Sequence, residues 1–437
     1  MADESLKVEL YGDTVGYLAE DDKGNTYFEY EDTFKQKNIE ISPIKLDTKT
    51  TTVYRNNDDN FFQGLAGVFH DSLPDKFGNA LINAWLATQG RTADSFNVIE
   101  RLCYTGARGM GALEFEPATS PAAAQPAESI EVARLVNLAS EVLSNRDKLH
   151  TRFGADDAAA LSDILRVGTS AGGARAKAVI AWNPETKEVR SGQINTEDHL
   201  GFSHWLLKFD GVKSNKDKEL NDPQGYSALE YAYSQMAKAA GIDMMPCELL
   251  EEGGRRHFLT KRFDRTDQGE KIHMQSLCGM AHYDFNLAGA YSYEQCFLVM
   301  RQLGLGAEEI EQQYRRMVFN IVARNQDDHV KNIAFLMDKR GKWTLSPAYD
   351  ITFSYNPTGR WTSTHQMRMN GKVDGFTLED FNQCGKTAFL KRGRAKEIVE
   401  EVIDVVTQWR KYANMADVDL AWADQIAEHH RLNFRQK

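Results

Sequence analysis

The chain has 437 residues, of which 42% are hydrophobic and 26% are charged, a composition that excludes a fibrous or wholly disordered protein. A formal net charge of -11 argues against nucleic-acid binding through the whole surface, although a local basic patch or a basic partner could still reach DNA. No apolar run approaches the roughly 18 residues of a membrane span, and the acidic, polar start MADESLKVEL lacks the features of a secretory signal. We therefore expect a cytoplasmic protein.

The first part of the chain predicts a small sheet followed by helices. Short aromatic and β-branched runs up to about Val53 favour antiparallel strands, and FFQGLAGVFHDSLPDKFGNALINAWLATQG favours helices interrupted at Pro74. The glycine-rich TGARGMG that begins at Thr105 has no βαβ context, so we interpret it as a structural turn before a strand. The Pro/Ala-rich stretch 118–130 is typical of a linker, which predicts an N-terminal subdomain over 1–117.

The next segment, 131–268, has the element order of the small lobe of a kinase. After a predicted helix near 131–144, RVGTSAGGARAKAVIAW indicates strand, glycine turn and strand, and HWLLKFDG indicates a further strand. SALEYAYSQMAKAAG has the periodicity of an amphipathic helix, and CELLEEGGRRHFLTKRFDR predicts a hairpin that turns at Gly253-Gly254. The remainder, 269–437, is predicted to be mostly helical, with a polar loop and a hairpin at Gly341.

The polar loop carries residue types that phosphoryl transfer requires. Asp327 and Asn332 have the spacing D-x-x-x-x-N of a kinase catalytic loop, and Asp350 follows the hairpin, where kinases have a metal-holding aspartate. This spacing alone occurs often by chance. Asp327 and Asp328 could be solvated turn residues and Asp350 could cap a helix.

Further candidates lie upstream of this loop. Lys208 ends a predicted strand and Glu230 lies on the following helix, so they could form the ion pair that places a lysine on ATP phosphates, or both could be surface residues. The backbone of TSAGGARAK, from Thr169 to Lys177, could cradle phosphates, although a plain hairpin is the alternative. Five widely spaced cysteines without a CxxC pair argue against disulfides and zinc, as does the spacing of the histidines.

Several motifs in this order resemble the HipA-like kinases, which are toxins of bacterial type II toxin–antitoxin pairs. They are FFQGLAGVFHDSLPD, TSAGGARAK, HWLLKF, LEYAYSQMAKAAG, FLTKRFDR, NQDDHVKN and LSPAYDI. The resemblance implies an α+β, two-lobed protein-kinase-like fold with an N-terminal β/α subdomain and a mostly helical C-terminal lobe. It also implies an ATP- and Mg²⁺-dependent serine/threonine protein kinase that is able to phosphorylate itself.

The resemblance assigns roles to individual positions. Asp327 is similar to the catalytic aspartate, Asn332 and Asp350 to Mg²⁺ ligands, and Ser170 to a serine whose autophosphorylation silences the kinase. Lys208 and Glu230 resemble the lysine–glutamate ion pair. The nucleotide-binding residues implied are Gly172, Gly173, Ala174, Arg175, Ala176, Lys177, Lys208, Lys261, Arg262, Phe263, His329, Lys331, Asn332, Tyr349 and Asp350.

Three departures from the family pattern affect these assignments. One is Asp328 beside Asp327, which is unusual and has no role that the sequence explains. The loop reads GGARAK where the family commonly has A-G-A-Q-E-K, so Arg175 and Ala176 replace a polar and an acidic residue. Lys261 stands where a glutamate is common, a change that backbone contacts to adenine would survive.

The resemblance also implies a HipB-like, DNA-binding antitoxin as partner, through which the chain would reach DNA. It further implies an aminoacyl-tRNA synthetase as the protein substrate and an inhibition of translation. Two alternatives stay open, namely a kinase-like scaffold that acts mainly as corepressor with the antitoxin, and a small-molecule kinase of similar build.

Overall fold

A computed structural model describes residues 5–56, 61–120, 129, 131–144, 165, 175–191, 201–212 and 224–434. The chain forms two compact units. Unit 1 contains Met1–Gln224, Leu250–Gln275 and Leu336–Lys342, and unit 2 contains Gly225–Leu249, Ser276–Phe335 and Trp343–Lys437. Most of the predicted linker, 118–130, lies outside the described residues, so the domain boundaries drawn from the sequence stay predictions.

Unit 1 begins with an antiparallel sheet of order β3-β2-β1-β4, as the alternating pattern predicts. Its strands bury alternate residues because successive side chains point to opposite faces of a sheet. The strands are β1 (Leu6–Leu10), β2 (Asp13–Glu20), β3 (Thr26–Tyr30) and β4 (Leu113–Glu116).

Unit 1 also contains five α-helices among its described residues. The break predicted at Pro74 is confirmed, since Asp75 follows it and caps the next helix by accepting the N–H of Gly78 at 2.7 Å. Asn97 and Glu100 form a capping box at the start of another. The helices are α1 (Asp32–Lys35), α2 (Gly67–His70), α3 (Lys76–Thr88), α4 (Val98–Thr105) and α5 (Val132–Ser144).

A second sheet has five strands in the order β6-β5-β7-β9-β8. The predicted hairpin is confirmed, and Gly253 and Gly254 both have positive φ at its turn, where glycine is favoured. Leu81 of α3, Ala139 of α5 and Ile180 of the sheet share one core, so the N-terminal helices and this sheet fold as one body. The strands are β5 (Lys177–Trp182), β6 (Val189–Ser191), β7 (Ser203–Lys208), β8 (Cys247–Glu252) and β9 (Arg255–Lys261).

A buried ion cluster after β9 fixes the TGARGMG loop. Asp264 accepts two hydrogen bonds from Arg262, at 2.8 and 2.6 Å, and one from Arg265 at 2.9 Å. The Gly111 N–H donates to the same carboxylate at 2.7 Å, and both arginines donate to the carbonyl of Gly109. Burial alone would raise the pKa of Asp264, but the two guanidinium groups hold it well below its usual range. The glycine loop therefore has the structural role that its sequence context indicated.

Unit 2 is mostly helical, as predicted. Tyr233 packs against Trp409 with ring centroids 5.1 Å apart, and both side chains are buried in its core. The helices are α6 (Tyr226–Ala239), α7 (Leu277–Ala281), α8 (Tyr293–Gln302), α9 (Ala307–Val322), α10 (Leu378–Thr387), α11 (Arg394–Val406), α12 (Trp409–Met415) and α13 (Leu420–His429).

Three further short strands form a third sheet. They are β10 (His273–Ser276), β11 (Ala334–Met337) and β12 (Trp343–Leu345). Strands β11 and β12 form the predicted hairpin, with Gly341 at φ 82° in its turn. Among the helices described, none is both long and apolar enough to cross a membrane.

The Asp264 cluster gives a first test. Asp264→Asn keeps the shape of the side chain but leaves two buried guanidinium groups without their counter-charge, so we expect the free energy of unfolding to fall by about 3–5 kcal/mol. Urea denaturation at pH 7 measures this loss. Because the folded pKa is depressed, the difference from wild type should persist above about pH 4 and shrink as the pH falls further.

The matched control is Asp267→Asn. Asp267 pairs with Lys261 at 2.6 Å, but its side chain is 77% exposed, and such pairs contribute at most about 1 kcal/mol. Equal losses of stability in the two variants would contradict the structural role of the buried cluster.

Candidate functional site

The polar loop 325–332 leaves the C-terminal end of α9 and is fixed there by side chains. Asn325 Nδ2 donates to Asn320 Oδ1 of α9 at 2.9 Å, and Arg324, which has a positive φ of 57°, donates through its guanidinium to Gln326 Oε1 at 2.8 Å. A 3-10 turn, Val330–Asn332, ends the loop. These local bonds hold an irregular backbone that has no ladder of its own.

The two adjacent aspartates of this loop have opposite environments. The Asp327 side chain is 52% exposed, whereas that of Asp328 is 1% exposed. The two adjacent carboxylates therefore lie on different sides of the loop, one inside the protein and one in contact with solvent. The structure therefore separates an accessible carboxylate from a structural one, which the sequence pair Asp-Asp did not.

Asp328 accepts hydrogen bonds from three sides. Tyr293 Oη donates to Oδ2 at 2.6 Å, His365 Nδ1 donates to the same atom at 2.9 Å, and the Gln366 N–H donates to Oδ1 at 2.8 Å. Burial would raise the pKa of Asp328, but the interaction with His365 and the other two donors hold it below its usual range. A buried carboxylate held this way is ionised at neutral pH, and it fixes the loop to Tyr293, His365 and Gln366.

Asn332 is oriented by a bond to the loop itself. Its Nδ2 donates to the carbonyl of Asp327 at 2.9 Å. Because a carbonyl can only accept, the contacting atom must be the amide nitrogen, and the amide oxygen Oδ1 takes no part in this bond. The same turn contains Lys331, whose ammonium lies 5.3 Å from the centre of the Phe285 ring. His329 contacts this ring as well, and its Nε2 is 3.8 Å from Asp327 Oδ1.

The segment that carries Asp350 is tied to the same turn. Tyr349 Oη donates to the carbonyl of Lys331 at 2.7 Å, next to Asn332. Asp350 itself has a positive φ of 56°, a conformation that aspartate tolerates better than most residues. The bond links the segment that contains Asp350 to the turn that contains Asn332. Oxygen donors of these two kinds suit Mg²⁺, which in nucleotide sites takes few protein ligands and completes its shell with phosphates and water.

In unit 1, two predicted phosphate-contacting lysines lie opposite each other. Lys177 of β5 and Lys208 of β7 are antiparallel partners, and both are buried. Directly opposed residues share a face of the sheet, where two like charges repel unless an anion lies nearby. Asp75 supplies one, since its Oδ2 lies 3.2 Å from Lys177 Nζ. Arg175 and Ala176 are buried beside them.

Two side chains of the predicted adenine hinge, those of Arg262 and Lys261, have partners within the protein. The Arg262 guanidinium is bound to Asp264, and the Lys261 ammonium pairs with Asp267. The Arg262 N–H donates to the carbonyl of His204 at 2.9 Å, which links the hinge to the neighbouring strand β7. The side chains of Arg262 and Lys261 thus have partners within the protein, and contacts of Lys261–Phe263 with adenine stay a prediction.

Some predicted site residues cannot be placed in this way. Ser170, Gly172, Gly173 and Ala174 lie outside the described residues. Lys208 belongs to unit 1 and Glu230 to unit 2, and both side chains are buried, so the ion pair between them stays a prediction.

Sequence reasoning missed the partners of Asp328. His365 follows it by 37 positions, and neither neighbouring residues nor spacing marks this histidine. The doubled aspartate was unusual, but it did not indicate these partners. Its role is now clear from the bonds that it accepts.

The doubled aspartate gives a second test. Asp328→Asn leaves the donors from Tyr293 and His365 without a carboxylate, and we expect a loss of about 3–5 kcal/mol in the free energy of unfolding at pH 7. Asp327→Asn is the matched control, and we expect it to change stability by less than about 0.5 kcal/mol because the residue is exposed. Thermal or urea denaturation measures both, and a control as unstable as the first variant would refute the distinction.

Comparison with known proteins agrees with this architecture. The model of the HipA-like C-terminal domain matches residues 169–409, and that of the HipA N-terminal domain matches residues 6–116. A solved structure from Shewanella oneidensis MR-1, the complex of the toxin–antitoxin system HipA, HipB and its operator DNA, has 16% identity and a TM-score of 0.66. The match covers 97% of this chain and 94% of that one, and at this identity it shows the fold, which is kinase-like.

Curated relatives match over shorter stretches. A protein of Sinorhizobium fredii named "Putative kinase Y4mE" is 24% identical over 48% of this chain and 54% of its own length. Another from the same organism, "Putative kinase Y4dM", is 28% identical over 47% and 53%. This chain thus spans about half the length of the curated relatives that it matches. The C-terminal family model alone covers more than half of the sequence, and the chain therefore belongs to the HipA family.

Proposed function

We propose that this protein is an ATP- and Mg²⁺-dependent serine/threonine protein kinase that acts as the toxin of a toxin–antitoxin pair. The observation that carries the proposal is the loop 325–332, in which Asp328 is buried, Asp327 is exposed and the side-chain amide of Asn332 is bonded to the carbonyl of Asp327. Membership of the HipA family and the kinase names of the curated relatives support the same reaction.

The proposed catalytic residue is Asp327. Its exposed carboxylate would accept the proton of a serine or threonine hydroxyl and orient the oxygen for in-line attack on the γ-phosphorus of ATP. The bond from Asn332 to its carbonyl and the buried neighbour Asp328 limit the movement of this carboxylate. Such restraint matters because a misplacement of about 1 Å can reduce a rate about a hundredfold.

Asn332 and Asp350 would hold Mg²⁺ through oxygen atoms, and the bond between Tyr349 and Lys331 keeps the two segments together. The bound cation would neutralise charge on the phosphates. Lys208 would contact phosphate oxygens beside Lys177, and the backbone of Lys261–Phe263 would border adenine. His329 and Lys331 would complete the nucleotide contacts, with Phe285 supporting both.

The proposed partner is a HipB-like antitoxin that binds DNA. The support is the fold shared with the HipA chain of the Shewanella complex, together with a net charge of -11 that makes broad DNA contact by this chain alone unfavourable. The proposed substrate is an aminoacyl-tRNA synthetase, whose phosphorylation would inhibit translation. This last step follows from the family resemblance.

The kinase reaction is tested by intact mass. Wild-type protein, first treated with phosphatase, should gain one or more phosphate groups on incubation with Mg²⁺ and ATP. Asp327→Asn should gain none while keeping wild-type stability, because the exposed carboxylate serves the reaction and contributes little to packing. Equal phosphate uptake by both proteins would rule out Asp327 as the catalytic residue, and none by wild type, with no ATP binding by calorimetry, would contradict the kinase itself.

Ser170 is the proposed site of self-phosphorylation. Ser170→Ala should lose the phosphate that tandem mass spectrometry maps to the peptide 169–177, and it should stay active after long incubation with ATP, whereas wild type should slow down. Thr169 carries the adjacent hydroxyl in this peptide, so Thr169→Ala serves as the matched control and should behave as wild type. Loss of activity with time in Ser170→Ala would argue against an off-switch at this residue.

A further inference from the structure

A C-terminal strap, defined here as residues 429–434, forms hydrogen bonds at the end of α9, the helix that leads into loop 325–332. The Arg431 N–H donates to the carbonyl of Val322 at 2.9 Å, and Arg324 Nε donates to the carbonyl of His429 at 2.9 Å. The last carbonyls of an α-helix have no partner within the helix, so an outside donor stabilises its end. The strap therefore fixes the point at which α9 passes into loop 325–332.

A second contact caps the same helix end. Tyr233 Oη donates to the carbonyl of Ala323 at 2.9 Å and lies 3.0 Å from His430 Nε2. Since the hydroxyl has one proton, which Ala323 accepts, the His430 nitrogen must be the donor in the other bond. Burial, together with His429 and Arg324, lowers the pKa of His430 to about 3, so this ring stays neutral and keeps the bond at physiological pH.

The side chain of Arg431 reaches the buried carboxylate through one intermediate. One guanidinium nitrogen lies 3.2 Å from His365 Nε2, and another bonds the carboxylate of Asp374. A guanidinium can only donate, so Nε2 of His365 must be the acceptor and its proton must lie on Nδ1. That is the tautomer which donates to Asp328 at 2.9 Å. Arg431 thereby selects the form of His365 that holds the loop.

We infer that Arg431 is a positioning residue for the proposed phosphoryl transfer, acting through His365 and Asp328 on the placement of Asp327. The inference rests on the proposed function for its effect on rate, but its structural part, the ordering of loop 325–332 by the strap, stands without it. The Arg431 side chain is 12% exposed and His365 is fully buried. The bond between Arg431 and His365 and the bond between His365 and Asp328 are therefore both protected from competing water.

The test compares Arg431→Met with a matched control, Arg394→Met. Arg394 also lies in unit 2 and bonds Glu311 and Glu401, but the bonds found for it do not reach the loop. Two readouts are needed, namely hydrogen–deuterium exchange of the peptide 325–333 and the rate of ³²P incorporation from Mg-ATP into the chain itself as a function of ATP concentration. Arg431→Lys, which keeps a cationic donor, serves as the conservative variant.

Arg431→Met should lower the maximal rate about tenfold to a hundredfold while changing the half-saturating ATP concentration less than about twofold, because it disturbs the reacting carboxylate and not nucleotide binding. Exchange in 325–333 should also become faster in this variant. Arg431→Lys should restore at least part of the rate and of the protection from exchange. Arg394→Met should change neither the rate nor the exchange.

His365→Asn separates the link from general stability, and it replaces Arg431→Met should that protein fail to fold. An asparagine nitrogen near the position of Nδ1 can still donate to Asp328, but the shorter side chain lacks the acceptor that Arg431 uses. It should give the signature expected for Arg431→Met, and the double variant should be no worse than the worse single one.

Unchanged exchange and unchanged rate in both Arg431→Met and His365→Asn would overturn the inference, as would equal effects in Arg394→Met. A wild-type chain that incorporates no phosphate would refute the proposed function instead, and the exchange comparison would then decide the structural part alone.

Discussion

A buried carboxylate within the polar loop 325–332 is the constraint on which the conformation of that loop depends. An ionised group without water needs several donors at once, and Asp328 obtains them from Tyr293 of α8, from His365 and from a backbone N–H. These donors are distant in sequence, so the loop reaches its conformation only when the surrounding helices have packed. Asp327, the residue before Asp328, is exposed.

Unit 1 also contains a buried carboxylate that orders a loop. Asp264 gathers Arg262, Arg265 and the glycine loop that ends at Gly111, where a side chain would meet the backbone of Met274 at 3.0 Å. In both units a buried carboxylate orders a polar loop that lacks regular hydrogen bonding. The Asp75–Lys177 pair links the N-terminal segment to β5 in a similar way. Arg262 and Lys177, which the sequence suggests as nucleotide contacts, are thus paired with carboxylates of the protein itself.

The sequence predicted the elements well where periodicity and turn chemistry agreed. The strands before Val53, the helix after Asp75 and the hairpin at Gly253-Gly254 all appear as expected, because local patterns specify them. Spacing also brought Asp327 and Asn332 into one turn, as the bond between them shows. The burial of Asp328 and the commitment of Arg262 to Asp264 were not predictable, since both depend on tertiary partners that no local pattern marks.

Binding of ATP to the wild-type chain, followed by calorimetry with and without Mg²⁺ and repeated with Asp350→Asn, tests the central claim most directly. The account predicts that Mg²⁺ strengthens binding to wild type and has much less effect on the variant, because Asp350 is a proposed ligand of the cation. Binding that is absent, or equally strengthened by Mg²⁺ in both proteins, would contradict the account.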